Sequence, residues 1–87
     1  LANTRGTRFL KAQFALETDN NKVVNEIEEK LPMVQDKVIT VLSTQTLEDL
    51  NSPSGKEKIK EQLIDSINEI LIKGEIENVY FNHFVWQ

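Results

Sequence analysis

Eighty-seven residues make one domain rather than two, and a chain of that size buries roughly 60–65% of its unfolded surface, enough for a single core. A net charge of −4 and scattered cations argue against DNA, RNA or anionic lipid headgroups as ligands, and the absence of cysteine removes disulfides and thiolate metal sites. No apolar run is long enough for a transmembrane helix or signal peptide within these residues.

Residues 1–7 are polar and contain Gly6, which predicts a flexible lead-in. A start at Leu1 without Met reads as a chain cut from something longer. Arg8 to Glu17 reads as a strand, with Leu10, Ala12, Phe14 and Leu16 on a core-facing parity and Lys11, Gln13 and Glu17 on the other. Asp19-Asn20-Asn21 favours a turn and a helix N-cap. The helix after it is expected to run to about Leu31, with Val23, Val24, Ile27 and Leu31 as its apolar stripe. Glu26 and Lys30 are expected to form an i,i+4 pair on its outside.

Pro32 breaks that helix and suits the first turn of the next, over about Met33 to Gln45. Val34, Val38, Val41 and Leu42 form its stripe, with Ile39 flanking. Thr46 with Asp49 three residues on has the form of a capping box, so one more turn to Leu50 is expected, followed by a loop at 51–55. Ser54 with Glu57 predicts the start of a third long helix and Gly74 its stop. Ile59, Leu63, Ile67, Ile70 and Leu71 line one face of it, with Ile64 beside them. Lys56, Lys58, Lys60, Glu61, Asp65 and Glu69 cover the other.

The final stretch, residues 78–87, holds four of the six aromatic residues and predicts a strand, or a strand with a kink. Both parities are apolar: Val79, Phe81 and Val85 on one, Tyr80, Phe84 and Trp86 on the other. That pattern predicts a central strand covered on both faces, or one face that meets a partner. The expected class is therefore α+β, in the order β-α-α-(short α)-α-β. A small sheet of two to three strands, the N- and C-terminal strands among them, is covered by three helices. An unpaired strand edge is a physical reason to expect oligomers.

Catalysis is hard to build here. His83 is the only histidine and there is no cysteine, so a Ser-His-Asp arrangement or a multi-histidine metal site has little to draw on. No cofactor is expected. Glu28-Glu29 and Glu48-Asp49 are neighbours on helix surfaces rather than facing acids, and Gly55-Lys56 lacks the GxxxxGK[ST] frame of a phosphate loop.

Several segments in this order carry a family resemblance. They are 8–11 opening the first strand, 31–39 (Leu31-Pro32-Met33-Val34-Gln35-Asp36-Lys37-Val38-Ile39), 42–50, 55–60, 67–71 and 79–87. Together they resemble the periplasmic domain of the FliL family, single-pass inner-membrane proteins associated with the bacterial flagellar basal body. The chain departs from the family at Gln35, where an Arg is common, and at His83 and Trp86.

The resemblance implies a domain folded like the stomatin/prohibitin (SPFH) type, which assembles into rings. It also implies association with flagellar stator units in support of torque and motility. A transmembrane helix would precede Leu1, with 8–87 as the periplasmic domain. Candidate subunit or partner contacts are Lys11, Asp36, Tyr80, Phe84 and Trp86. For Asp36 the competing reading is a favourable interaction with the positive start of its helix. The expected function is thus a non-enzymatic, self-associating stator-associated domain, the rival a monomeric module that binds extended peptides at a strand edge.

Overall fold

A computed structural model of the chain describes residues 10–86, with the side chains of 13–80. Two strands, β1 (Leu10–Glu17) and β2 (Asn78–Trp86), enclose four helices in sequence: α1 (Asn21–Glu29), α2 (Leu31–Ser43), α3 (Leu47–Asn51) and α4 (Pro53–Asn68). The class and element order are those expected. The lead-in at 1–7 and the first residues of the expected strand, Arg8 and Phe9, lie outside the described residues.

The long helix α4 organises the core because its apolar residues recur every four positions. Ile59, Leu63 and Ile67 have no exposed surface, and Leu71, Ile76 and Val79 continue the row toward β2. Val34 and Val41 reach this row from α2, Leu50 from α3 and Val23 from α1. On α1 the apolar stripe is narrower than expected: Val23 is buried, Val24 is exposed, and Leu31 already belongs to α2 and is exposed.

The helix ends are set by local chemistry. Asn20 caps α1 by accepting the Lys22 N–H at 2.9 Å. Thr46 and Asp49 form the expected reciprocal capping box on α3, at 3.0 Å in both directions. Thr46 holds the Asp49 carboxyl below its usual range through its backbone N–H and its hydroxyl, against a smaller opposing effect of burial and with help from the charge of Lys58. The expected loop at 51–55 is not one. Ser52, not Ser54, caps α4 by accepting the Gly55 N–H at 2.9 Å, and Pro53 opens the helix, where a missing N–H does no harm.

The two strands pair antiparallel, and among the described residues they form the whole sheet. Val79 pairs with Leu16, Phe81 with Phe14, His83 with Gln13, Phe84 with Ala12 and Trp86 with Leu10. Asn82 has no partner, so β2 is bulged there. The bulge accounts for the two apolar parities. One extra residue moves Phe84 and Trp86 into register with the same β1 parity that Val79 and Phe81 face, while Tyr80 pairs with Ala15. The expectation of a doubly covered central strand, and the grouping of Tyr80 with Phe84 and Trp86, are corrected on that ground.

Candidate interaction surface

Two surface features stand out from the packing, on the two flanks of α2. The first is an open groove between β1 and α2, about 510 Å³ in volume. Phe14 and Leu16 form its β1 wall, and Leu31, Val38, Ile39 and Leu42 form most of the α2 wall. It exists because β2 lies over α4 while β1, one strand further out, does not close down on α2. Ile39 consequently keeps 65% of its surface exposed. Apolar walls suit a protein contact rather than bond-making chemistry.

The second feature is a clasp that sequence reasoning misplaced. Glu26 and Lys30 do pair, at 2.6 Å, but the carboxylate is only 3% exposed rather than on the outside of α1. It accepts the backbone N–H groups of Ile72 (3.0 and 2.9 Å to its two oxygens) and Lys73 (2.9 Å). Lys30 Nζ also donates to the Ile70 carbonyl at 2.8 Å. Burial opposes ionisation of Glu26. The Lys30 hydrogen bond, the two backbone N–H groups and the Lys30 charge outweigh it and hold the carboxyl at about 2.

The α4 helix stops at Asn68, well before the expected stop at Gly74: the Ile70 and Leu71 N–H groups tighten onto the Ile67 and Asn68 carbonyls three residues back, and the clasp takes the next two donors. In a continuing helix the Ile72 and Lys73 N–H groups would donate to Asn68 and Glu69; here they donate to Glu26. Asn68 completes the turn, its side chain donating to the Ile76 carbonyl and accepting the Ile76 N–H at 2.8 Å. Gly74 does a different job, adopting φ +154°, where a Cβ would meet Val23 Cγ2 at 2.8 Å. The outcome is a fixed tip on which Ile72 is 79% exposed. A smaller polar hollow of about 330 Å³ lies beside it, lined by Lys22, Asn25, Glu26, Glu29 and Lys73.

The residues singled out from sequence are not gathered at one place. Asp36 is exposed on α2, five residues past its start, beyond the first turn where the helix dipole acts. Tyr80 is 42% exposed; its hydroxyl donates to Glu17 at 3.3 Å and accepts from Asn78 at 3.2 Å, and Lys60 Nζ sits 5.8 Å from the ring centroid. Lys11, Phe84 and Trp86 have their register positions in the sheet, while their side chains, like that of His83, lie outside those described.

At the base of the sheet the Glu77 N–H donates to the Glu17 carbonyl at 2.7 Å. A hydrogen bond with Asp19, the Asp19 charge, burial and the Glu17 charge all push the Glu77 carboxyl up. Among the described residues no group of three or more His, Asp or Glu is placed to hold a metal ion. No helix among them is long and apolar enough to cross a membrane.

A sequence model described as "Flagellar basal body-associated protein FliL" matches residues 1–87. The "Flagellar protein FliL" of Aquifex aeolicus (strain VF5) is 34% identical over 87 residues, which is all of this chain and 54% of that protein. The "Flagellar protein FliL" of Bacillus subtilis (strain 168) is 33% identical over 82 residues, 94% of this chain and 59% of that protein. The chain thus spans between half and two thirds of the length of these relatives.

Proposed function

The chain belongs to the FliL family of flagellar basal body-associated proteins, and from that premise we propose a non-enzymatic domain that oligomerises around the flagellar stator and supports its activity, torque and motility. The observation that carries this reading is the open apolar groove between β1 and α2, since exposed apolar surface of this kind favours a protein contact. Among the described residues the sheet has two strands, so each has an outer edge that adds directional backbone bonding to any such contact.

The finer parts of the proposal are a periplasmic location, residues 8–87 as one SPFH-like domain, an inner-membrane anchor, and a ring as the assembled state. Lys11, Asp36, Tyr80, Phe84 and Trp86 belong to the proposed contacts. The ring acts by binding the active stator conformation better than the inactive one, since only differential affinity moves an equilibrium. Deleting the gene is expected to reduce stator recruitment and swimming or swarming. Unchanged motility and recruitment would end this reading.

The β1 edge beside the groove favours one rival, a monomeric module that takes an extended peptide as an added strand with alternate side chains in the groove. Cysteines at Tyr80 or Phe84, paired with Lys11 or Asp36 in the full-length protein in motile cells, separate the two. A ladder of self-linked species with stator adducts supports the ring, and a one-to-one stator adduct alone supports the module.

A further inference from the structure

We propose that successive copies of this chain join head to tail, the clasped Ile72 tip of one copy seating in the β1–α2 groove of the next. This rests on the oligomer reading above and names its interface. A closed ring needs a heterologous contact, in which one patch fits a different patch on the neighbour. The domain carries both halves. The tip is an aliphatic side chain with 79% of its surface exposed on a backbone fixed by a buried carboxylate, so little freedom is lost when it docks. The groove is an apolar slot walled by residues such as Ile39, which nothing in its own chain covers among the described residues.

Position agrees with polarity. Lys37 on α2 reaches Glu69, just before the tip, at 3.3 Å, whereas Ile39 lines the groove. Two residues at about 100° each place these side chains on roughly opposite flanks of the helix. Tip and groove therefore look away from each other, as a head-to-tail contact needs and a two-fold contact does not.

The charges are complementary as well. Lys73 follows Ile72 on the tip, and Asp36 lies on α2 one turn from Ile39. Both are exposed, and neither has an ion pair among the described residues. Seating Ile72 brings Lys73 toward the neighbour's Asp36, which gives Asp36 the intersubunit role, one of the two readings weighed for it from sequence.

The test uses full-length protein carrying Ile72→Cys with Ile39→Cys, oxidised in membranes, together with Lys73→Asp, Asp36→Lys and their combination. A cysteine ladder extending beyond dimers is expected. Ile72→Cys with Leu47→Cys, an exposed site on α3, is expected to give none. Each charge reversal is expected to lower self-association about tenfold and the combination to restore it. Light scattering on the detergent-solubilised wild type provides the reference. An assembled wild type without a 72–39 ladder, or with dimers alone, overturns the tip contact and leaves the ring reading standing. A monomeric wild type without any self-linked product overturns both. Ile72→Cys products formed only with another protein also overturn it. Circular dichroism checks folding, which substitutions this exposed should leave intact.

Discussion

Replacing Gly55 by Ala sets two opposite effects against each other. Gly55 is the third residue of α4 and is buried where α3 passes over the start of that helix. On helix propensity alone, Ala would stabilise by about 1 kcal/mol. A Cβ built there, however, lies 2.1 Å from the Asp49 carbonyl oxygen and 2.6 Å from Ser52 Oγ. The first neighbour is backbone and cannot swing aside, so α3 must move off α4. Overpacking of this kind costs about 1–3 kcal/mol. The shift also strains the Ser52 cap on the Gly55 N–H, which is worth about 1 kcal/mol.

The net expectation is a loss of about 2 kcal/mol, or about 8–16 °C in melting temperature for a domain of this size. Thermal unfolding followed by circular dichroism measures it, with Ser52→Ala as the comparison, expected to lose about 4–8 °C through the cap alone. A Gly55→Ala protein as stable as wild type, or no worse than Ser52→Ala, would refute the steric argument.

Leu63→Ala, at a fully buried position of α4, should lower stability by about 3 kcal/mol. Ile72→Ala should change it by less than about 0.5 kcal/mol; a denaturant titration compares the two. Glu26 has its carboxyl at about 2 in the fold against 4.5 ordinarily, so its contribution is complete above about pH 4.5 and is lost as pH falls toward 2. Glu26→Gln should flatten that acid limb of the melting curve and, in hydrogen exchange, deprotect the Ile72 and Lys73 amides. Glu77 has the opposite sign. Its raised carboxyl favours the fold below the ordinary value of 4.5, an advantage lost as pH rises through the raised value. Glu77→Gln should therefore stabilise the domain at pH 7 and change it little at pH 4, again read from melting temperatures. Ile39→Asp should leave the melting temperature within a few degrees and weaken self-association in light scattering.

What could be read from the sequence was whatever depends on neighbours along the chain. The four-residue recurrence of Ile59, Leu63 and Ile67 fixed the buried face of α4, and the Thr46–Asp49 box fixed the start of α3, because both are complete within a few residues. The alternation of Phe14 and Leu16 with Gln13 and Glu17 likewise gave the correct inner face of β1. The resemblance added the family, since it drew on segments spread over nearly the whole chain.

The rest required distant parts of the chain to meet. Nothing between Glu69 and Lys73 is a helix breaker; the last turn tightens at Ile70 and Leu71, and Glu26, more than forty residues earlier, takes the next two N–H donors so that the helix does not resume. Glu26 and Lys30 carry the same i,i+4 spacing on a wet face as on a buried one, so only packing shows which face this is. The bulge at Asn82 depends on the register that β1 imposes, and the groove exists because β1 stands off from α2. Sequence by itself determined the elements, their order and the apolar faces of β1, α2 and α4, since these follow from local periodicity and capping. Tertiary structure alone decided where α4 stops, which parity Phe84 and Trp86 take and which apolar surface is left open, because each is a competition between partners far apart in the chain.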